Sequence, residues 1–181
     1  MYIFAGFSIF VKFNFWNKRK RRAEMPNRKD RLIQEYIHDP YFTKEKYHDP
    51  SVCERCGVVF HEGIFQWMEP PPKNAEKMIC PACRRIEDKY EGGVVVLEGE
   101  FMQKHKDEIM NIIRNTEERE IAYRPLERII EIVDEGDRIT VKTTYEHLAR
   151  AIGEAVHRAY KGTLNIQYPE GTKYVRVHWI R

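Results

Sequence analysis

Beyond Gly92 the apolar positions fall into short runs of two periods, and the elements follow from them. Gly93-Val94-Val95-Val96-Leu97 is a continuous apolar run of strand length and predicts a buried strand. Residues 100–115 bring Met102, Ile109, Ile112 and Ile113 to one side at helical spacing and predict a helix, with Pro125 marking its end region. Residues 128–133 predict a strand, and Asp134-Glu135-Gly136-Asp137 an acidic hairpin turn. Residues 138–143 predict the returning strand, with Ile139 and Val141 inward and Arg138, Thr140 and Lys142 outward. Thr143-Thr144-Tyr145-Glu146 fits a capping box with Thr143 as N-cap. The helix after it carries Leu148, Ile152, Ala155, Val156 and Ala159 at helical spacing and stops at Gly162. Residues 163–168 and 173–179 predict two more strands, joined at Pro169-Glu170-Gly171-Thr172.

The predicted order over residues 91–181 is β-α-β-β-α-β-β. Its first six elements are the ferredoxin-like, split βαβ order. The expected fold class is α+β, with two helices over one sheet face and the other face open.

Upstream the patterning weakens. Residues 25–50 are polar and rich in Tyr and basic side chains (Arg28, Lys29, Arg31, Lys44, Lys46). Residues 30–36 predict a short helix with Leu32, Ile33 and Tyr36 on one side. Tyr36-Ile37-His38-Asp39-Pro40 is loosely repeated as Tyr47-His48-Asp49-Pro50, and the Asp-Pro steps predict turns. This segment reads as an extended arm, either packed on its own domain or wrapped around a partner. Residues 1–24 run from an aromatic, apolar stretch into a basic cluster at residues 18–22, the reverse of a secretory signal. They are either sequence upstream of a start at Met25 or a basic surface-binding tail. No apolar run reaches the ~18–20 residues of a membrane span, so none is expected.

With 42% apolar and 33% charged residues, the chain has the composition of a globular protein rather than a disordered one. The net charge of +3 owes much to residues 1–24, which hold six basic residues and one acid; without them it falls to −2. Residues 91–181 carry 14 basic and 16 acidic residues, so any nucleic-acid contact there is local rather than global. No phosphate loop or nucleophile elbow is present, and Gly92-Gly93 lacks the spacing of a dinucleotide fingerprint. The expectation is a protein that is not an enzyme.

The chemistry that does stand out lies in residues 51–90. Cys53-x-x-Cys56 and Cys80-x-x-Cys83 are separated by 23 residues. A two-residue gap lets both thiolates of a pair reach one tetrahedral ion at ~2.3 Å. Gly57 suits the tight turn after Cys56. Strands are predicted at Val58-Val59-Phe60 and Phe65-Gln66-Trp67-Met68, followed by a Pro-rich loop. Two knuckles joined by a hairpin make a zinc ribbon, with Cys53, Cys56, Cys80 and Cys83 as the Zn²⁺ ligands. A thioredoxin-type site has one such motif, at a helix start in a βαβ unit. Four Cys close the metal shell, which points to structural rather than catalytic zinc. His61-Glu62 does not match the H-x-E and P-C-x-x-C signature of deaminases, and reads as an exposed hairpin pair. Reduced thiols used for metal agree with a cytoplasmic setting.

Two patches suit phosphate or base contacts. Arg55 lies inside the first Cys pair, and Arg84 and Arg85 follow the second. On the last strand, Tyr174, Arg176 and His178 share the face opposite Val175, Val177 and Trp179. Lys142, Arg138, Asn165 and Gln167 can join that face. The aromatic signature of RNA-recognition motifs is absent. Solvated charge is the other reading of Arg55, Arg84 and Arg85, and the open sheet face alternatively suits a protein partner.

Cys53-Glu54-Arg55-Cys56-Gly57 and Cys80-Pro81-Ala82-Cys83-Arg84-Arg85, followed by a compact α+β unit and the run Thr143-Thr144-Tyr145-Glu146-His147-Leu148-Ala149-Arg150, form one pattern. Across residues 51–179 it resembles a bacterial zinc-ribbon relative of the large-subunit ribosome export adaptors, the nonsense-mediated-decay-three family. That family usually has two zinc-binding Cys clusters; this chain has one. The resemblance implies association with the ribosome or ribosomal RNA. The expected function is a zinc-binding, non-catalytic adaptor on the ribosome or structured RNA. The alternative is a zinc-stabilised protein-interaction module without nucleic-acid binding.

Overall fold

A computed structural model of the chain describes residues 40–41 and 47–181. The leader, the predicted helix at 30–36 and the basic residues of the arm lie outside the described residues.

Proline and glycine steps cut residues 51–80 into short pieces, and each strand there is three residues long. β1 (Ser51–Cys53), β2 (Val59–His61), β3 (Ile64–Gln66) and β4 (Glu76–Met78) form a sheet in the order β3-β2-β1-β4. β2 and β3 make the predicted hairpin, turning on Glu62 and Gly63 at φ 53° and 82°. Two successive positive φ angles match the twist of a two-residue hairpin. β4, which the pattern did not predict, runs parallel to β1. Cys80 then opens α1 (Pro81–Glu87). The zinc-ribbon expectation is corrected at this point: the first Cys pair lies in a turn, while the second sits at a helix start. Pro81 is the reason, because a proline at the first helical position has the right φ and needs no N–H partner.

The core of this module is Cys53, Val58, Cys80, Ala82 and Cys83. Three of those five residues are thiols, so apolar burial alone stabilises it little, and a metal staple is what such small cores use.

The remainder is built from β5 (Gly93–Glu98), α2 (Glu100–Lys104), α3 (Lys106–Tyr123), β6 (Ile129–Asp134), β7 (Arg138–Thr143), α4 (Glu146–Tyr160), β8 (Thr163–Gln167) and β9 (Val175–Ile180). The element order is the predicted one, except that the first helix breaks at His105 and runs on to Tyr123. The sheet order is β6-β7-β5-β9-β8. β5 and β6 bracket β7, as a split βαβ unit requires. The far half departs from the ferredoxin-like arrangement, because β9 inserts between β5 and β8, parallel to β5 and antiparallel to β8. Side-chain bulk accounts for this. Val175, Val177 and Trp179 of β9 are almost fully buried, whereas Leu164 and Ile166 of β8 are only half-buried. The strand with the larger apolar face takes the interior position.

All three helices cover one sheet face. Val95, Leu97, Ile139, Val141, Val177 and Trp179 pack there against Met102, Ile109, Ile113, Leu148, Ile152 and Val156. Gly153 lets α4 lie close: a Cβ on it would stand 2.3 Å from Val177 Cγ1. The capping box is also corrected. α4 starts after Tyr145 with no side-chain cap of its own, and Thr143 Oγ1 donates to the Gly93 and Tyr145 carbonyls. The Leu148 N–H is taken instead by Glu127 Oε2 at 3.0 Å, from a distant part of the chain.

Candidate functional site

Local hydrogen bonds build the first half of the cysteine cluster. Cys53 N–H donates to the Val58 carbonyl, and Gly57 N–H to the Cys53 carbonyl, both at 2.8 Å. That closes a turn in which Gly57 takes φ 77°. Cys80 supplies the second half as N-cap of α1: its Sγ accepts the Cys83 N–H at 3.4 Å, and its own N–H donates to Cys53 Sγ at 3.3 Å.

The four sulfurs lie within 4.8 Å of one another. Cys53 and Cys83 Sγ are 3.8 Å apart, and Cys56 and Cys80 Sγ 3.7 Å. A regular tetrahedron with ~2.3 Å metal–sulfur bonds has edges of about 3.8 Å, so the spacing fits one thiolate-bound ion. All four Cys are free thiols, and three are buried. The cluster can hold a metal ion.

One charged neighbour went unread in the sequence. Arg128 Nη1 donates to Cys83 Sγ at 3.7 Å, and its Nε to the Pro125 carbonyl at 2.9 Å. Burial works against its charge, yet the hydrogen bond to Cys56 and the nearby thiols hold its pKa above the ordinary value. In return, Cys56 is drawn below the usual thiol range, first by the Cys80 thiol, then by the Val58 amide and Arg128. Cys80 and Cys83 are pushed up, Cys80 chiefly by Cys56 and Cys83 chiefly by burial. A divalent ion held by four thiolates would carry a net charge of −2, which Arg128 would offset in part. Nothing local marked this residue, since it lies 45 positions from Cys83. His61 is outside the cluster; its Nδ1 pairs with Asp49 Oδ1 at 2.7 Å.

The predicted phosphate contacts around the cysteines fare unequally. Arg55 is paired with Glu87 at 2.8 Å. Arg84 is half-buried on α1. Arg85 is only 4% exposed: its Nη1 donates to the Thr144 carbonyl at 3.0 Å, and its guanidinium lies 4.3, 5.0 and 5.3 Å from the Tyr145, Tyr90 and Tyr41 rings. It is committed to the interior, which removes it from any phosphate-binding surface.

The predicted sheet face is assembled by strand register. Its outward side chains fall in two rows across the sheet: Glu131, Lys142, Val94, Arg176, Gln167; and Val133, Thr140, Val96, His178, Asn165. Lys142 reaches Glu131 at 2.6 Å and Glu91 at 4.0 Å, and Glu131 holds its pKa up. Arg138 reaches Glu98 at 2.6 Å, and His178 reaches the same carboxylate at 3.1 Å. Those two partners, His178 foremost, hold Glu98 below the usual carboxylate range. Tyr174 OH donates to Glu91 at 2.8 Å; burial and that carboxylate push it up to about 12. Arg176 lies 5.7 Å over the Tyr174 ring, and among the described residues no carboxylate pairs with it. Three carboxylates thus balance the paired Lys142 and Arg138 and the unpaired Arg176, and the face has little net charge. The acids Glu91, Glu98 and Glu131 were overlooked in the sequence, although strand alternation puts Glu98 beside the predicted cations.

Among the depressions on the described surface, two bear on the site. One, of about 410 Å³, lies on the sheet face among Val94, Val96, Asn165, Gln167, Tyr174, Arg176 and His178. The other, of about 500 Å³, is lined by Ile64, Phe65, Tyr123, Leu126 and Glu127 among others. Burial pushes the Glu127 carboxyl up to about 7, but its oxygen is engaged by the Leu148 N–H. One raised carboxyl with a backbone partner does not make an acid–base pair. Among the described residues no helix is long and apolar enough to cross a membrane. Compared with protein families, curated proteins and solved structures, the chain finds no match in any of the three.

Proposed function

We propose that the protein is a zinc-stapled, non-catalytic adaptor that docks on structured RNA, the ribosome included, through its open sheet face. One observation carries the reading. The sheet face left uncovered by the helices presents Tyr174, Arg176, His178 and two amides around an apolar floor. Such a face offers stacking, hydrogen bonding and one phosphate contact together. Zinc suits the donor set, since a closed shell of four thiolates selects soft or borderline ions without an open catalytic position. Arg84, half-buried beside the second Cys pair, and the resemblance to ribosome export adaptors support the same partner. A cytoplasmic setting fits reduced thiols.

A second reading has its own support. Because carboxylates neutralise most cations of the face, a protein partner suits it as well, as the contact of an interaction module.

Co-sedimentation with ribosomes across a salt series separates the two. With Arg84 and Arg176 as the remaining phosphate contacts, log K should fall against log[salt] with a slope of about −1 to −2. Nuclease should abolish the complex. A nuclease-resistant complex with no salt slope would transfer the face to a protein partner, and absence of co-sedimentation at low salt would overturn the ribosome reading.

A further inference from the structure

The depression on the sheet face has an internal logic. Arg176 and His178 are two residues apart on β9 and rise from the same face. They lean apart: Arg176 toward the Tyr174 ring, 5.7 Å away, and His178 toward Glu98 at 3.1 Å. Val94 and Val96, their neighbours in register on β5, remain as a floor. On the other side, Gln167 stands opposite Arg176 and Asn165 opposite His178, both exposed. The result is a space of about 410 Å³ with an apolar base, two amides along one wall and a cation at one end. That volume lies within the ~300–1,000 Å³ range of small-ligand sites.

Each part selects for one chemistry. A flat apolar floor takes a planar ring. Amides carry a donor and an acceptor each, the pattern that reads base edges. A guanidinium without a carboxylate partner takes a phosphate. The surrounding neutrality matters equally, because it gives a duplex backbone little to hold.

We infer that this depression takes the base of one unpaired RNA nucleotide, with the Asn165 and Gln167 amides on the base edge and Arg176 on the adjoining phosphate. The inference rests on the RNA-docking reading and narrows it to single-stranded contacts. Base edges are available to side chains in unpaired RNA, whereas an A-form duplex hides its major-groove edges.

The test uses the full zinc-loaded chain and fluorescence anisotropy. The probes are labelled RNA homo-oligomers of about eight nucleotides, a sequence-mixed RNA duplex, and free nucleoside monophosphates as competitors. Single strands should bind at least ~10-fold tighter than the duplex. The double variant Asn165→Ala/Gln167→Ala should lose ~10-fold or more toward the best oligomer. Arg176→Ala should reduce the salt slope by about 0.7, the loss of one phosphate contact on a single strand. All three side chains are exposed, and far-UV circular dichroism checks that the variants fold. Equal binding of duplex and single strand, or an amide variant that binds like wild type, would overturn the site. Competition by a monophosphate as strong as by the oligomer would make it a free-nucleotide pocket and overturn the RNA assignment. Ribosome co-sedimentation separates the two levels. If wild type and amide variant co-sediment alike, the pocket falls and the adaptor reading stands. If wild type binds neither ribosomes nor RNA, both fall.

Discussion

Glu127 is 5% exposed, and its pKa of about 7 has burial as its main cause, only partly offset by the Leu148 N–H. An unfolded Glu titrates near ~4.3. Between those values the unfolded chain releases a proton that the folded chain keeps. Stability therefore falls as pH rises from about 4.3 to 7, by about 3–4 kcal/mol from this group. Glu127→Gln keeps the acceptor but cannot ionise, so its urea midpoint should fall less over that window than that of wild type. Parallel profiles for the two proteins would place the titration elsewhere. Arg85 carries a related lesson. Its identity as a basic residue beside a Cys pair was plain in the sequence, but its place among Tyr41, Tyr90 and Tyr145 depends on contacts as far as 60 positions away along the chain. Residue type announced a charge; only the fold decides whether solvent sees it.

At the scale of elements, α4 and β9 meet through Gly153. An Ala there gains about 1 kcal/mol of helix propensity. It also places a methyl 2.3 Å from Val177 Cγ1, on a strand paired on both sides. Overpacking at such a site costs about 1–3 kcal/mol. Gly153→Ala should therefore leave stability lower by up to about 2 kcal/mol in urea unfolding, and a stabilised variant would show that α4 is free to shift. β7 was legible to the residue, because Ile139, Val141 and their outward neighbours alternate strictly. The helical start at Pro81 was not, because Cys-Pro-Ala-Cys reads equally as a knuckle and the helix spans only seven residues. The α4 cap was also illegible: Thr143 and Glu146 have the right spacing, but Glu127 does the capping from another segment. The place of β9 was hidden for a similar reason. Alternation says which side of a strand is buried, and is silent on whether its neighbours lie on one edge or both.

For the whole molecule, apolar burial is divided unequally. The cysteine module has a five-residue core rich in thiols, whereas the five-stranded sheet and the helices packed on it share a core of fourteen buried residues. Chelation should remove hydrogen-exchange protection from β1–β4 and α1 and leave the β5, β7 and β9 amides protected. Cys80→Ser should behave as the chelated protein does. Uniform loss of protection would show instead that Arg128 and Leu126 bind both parts into one cooperative unit.

The insertion of β9 has a consequence in time. During synthesis the ligands of the cysteine cluster are complete once Cys83 has emerged, so that module can form while later residues are still being added. The sheet has no such freedom. Its middle is completed only when Gly93 meets Val175, and until then β5 exposes an unpaired edge and β8 has no partner. Pairings this distant along the chain are slow to close. The cysteine cluster is thus complete in the chain well before the sheet is, and residues 175–180 are what close the sheet.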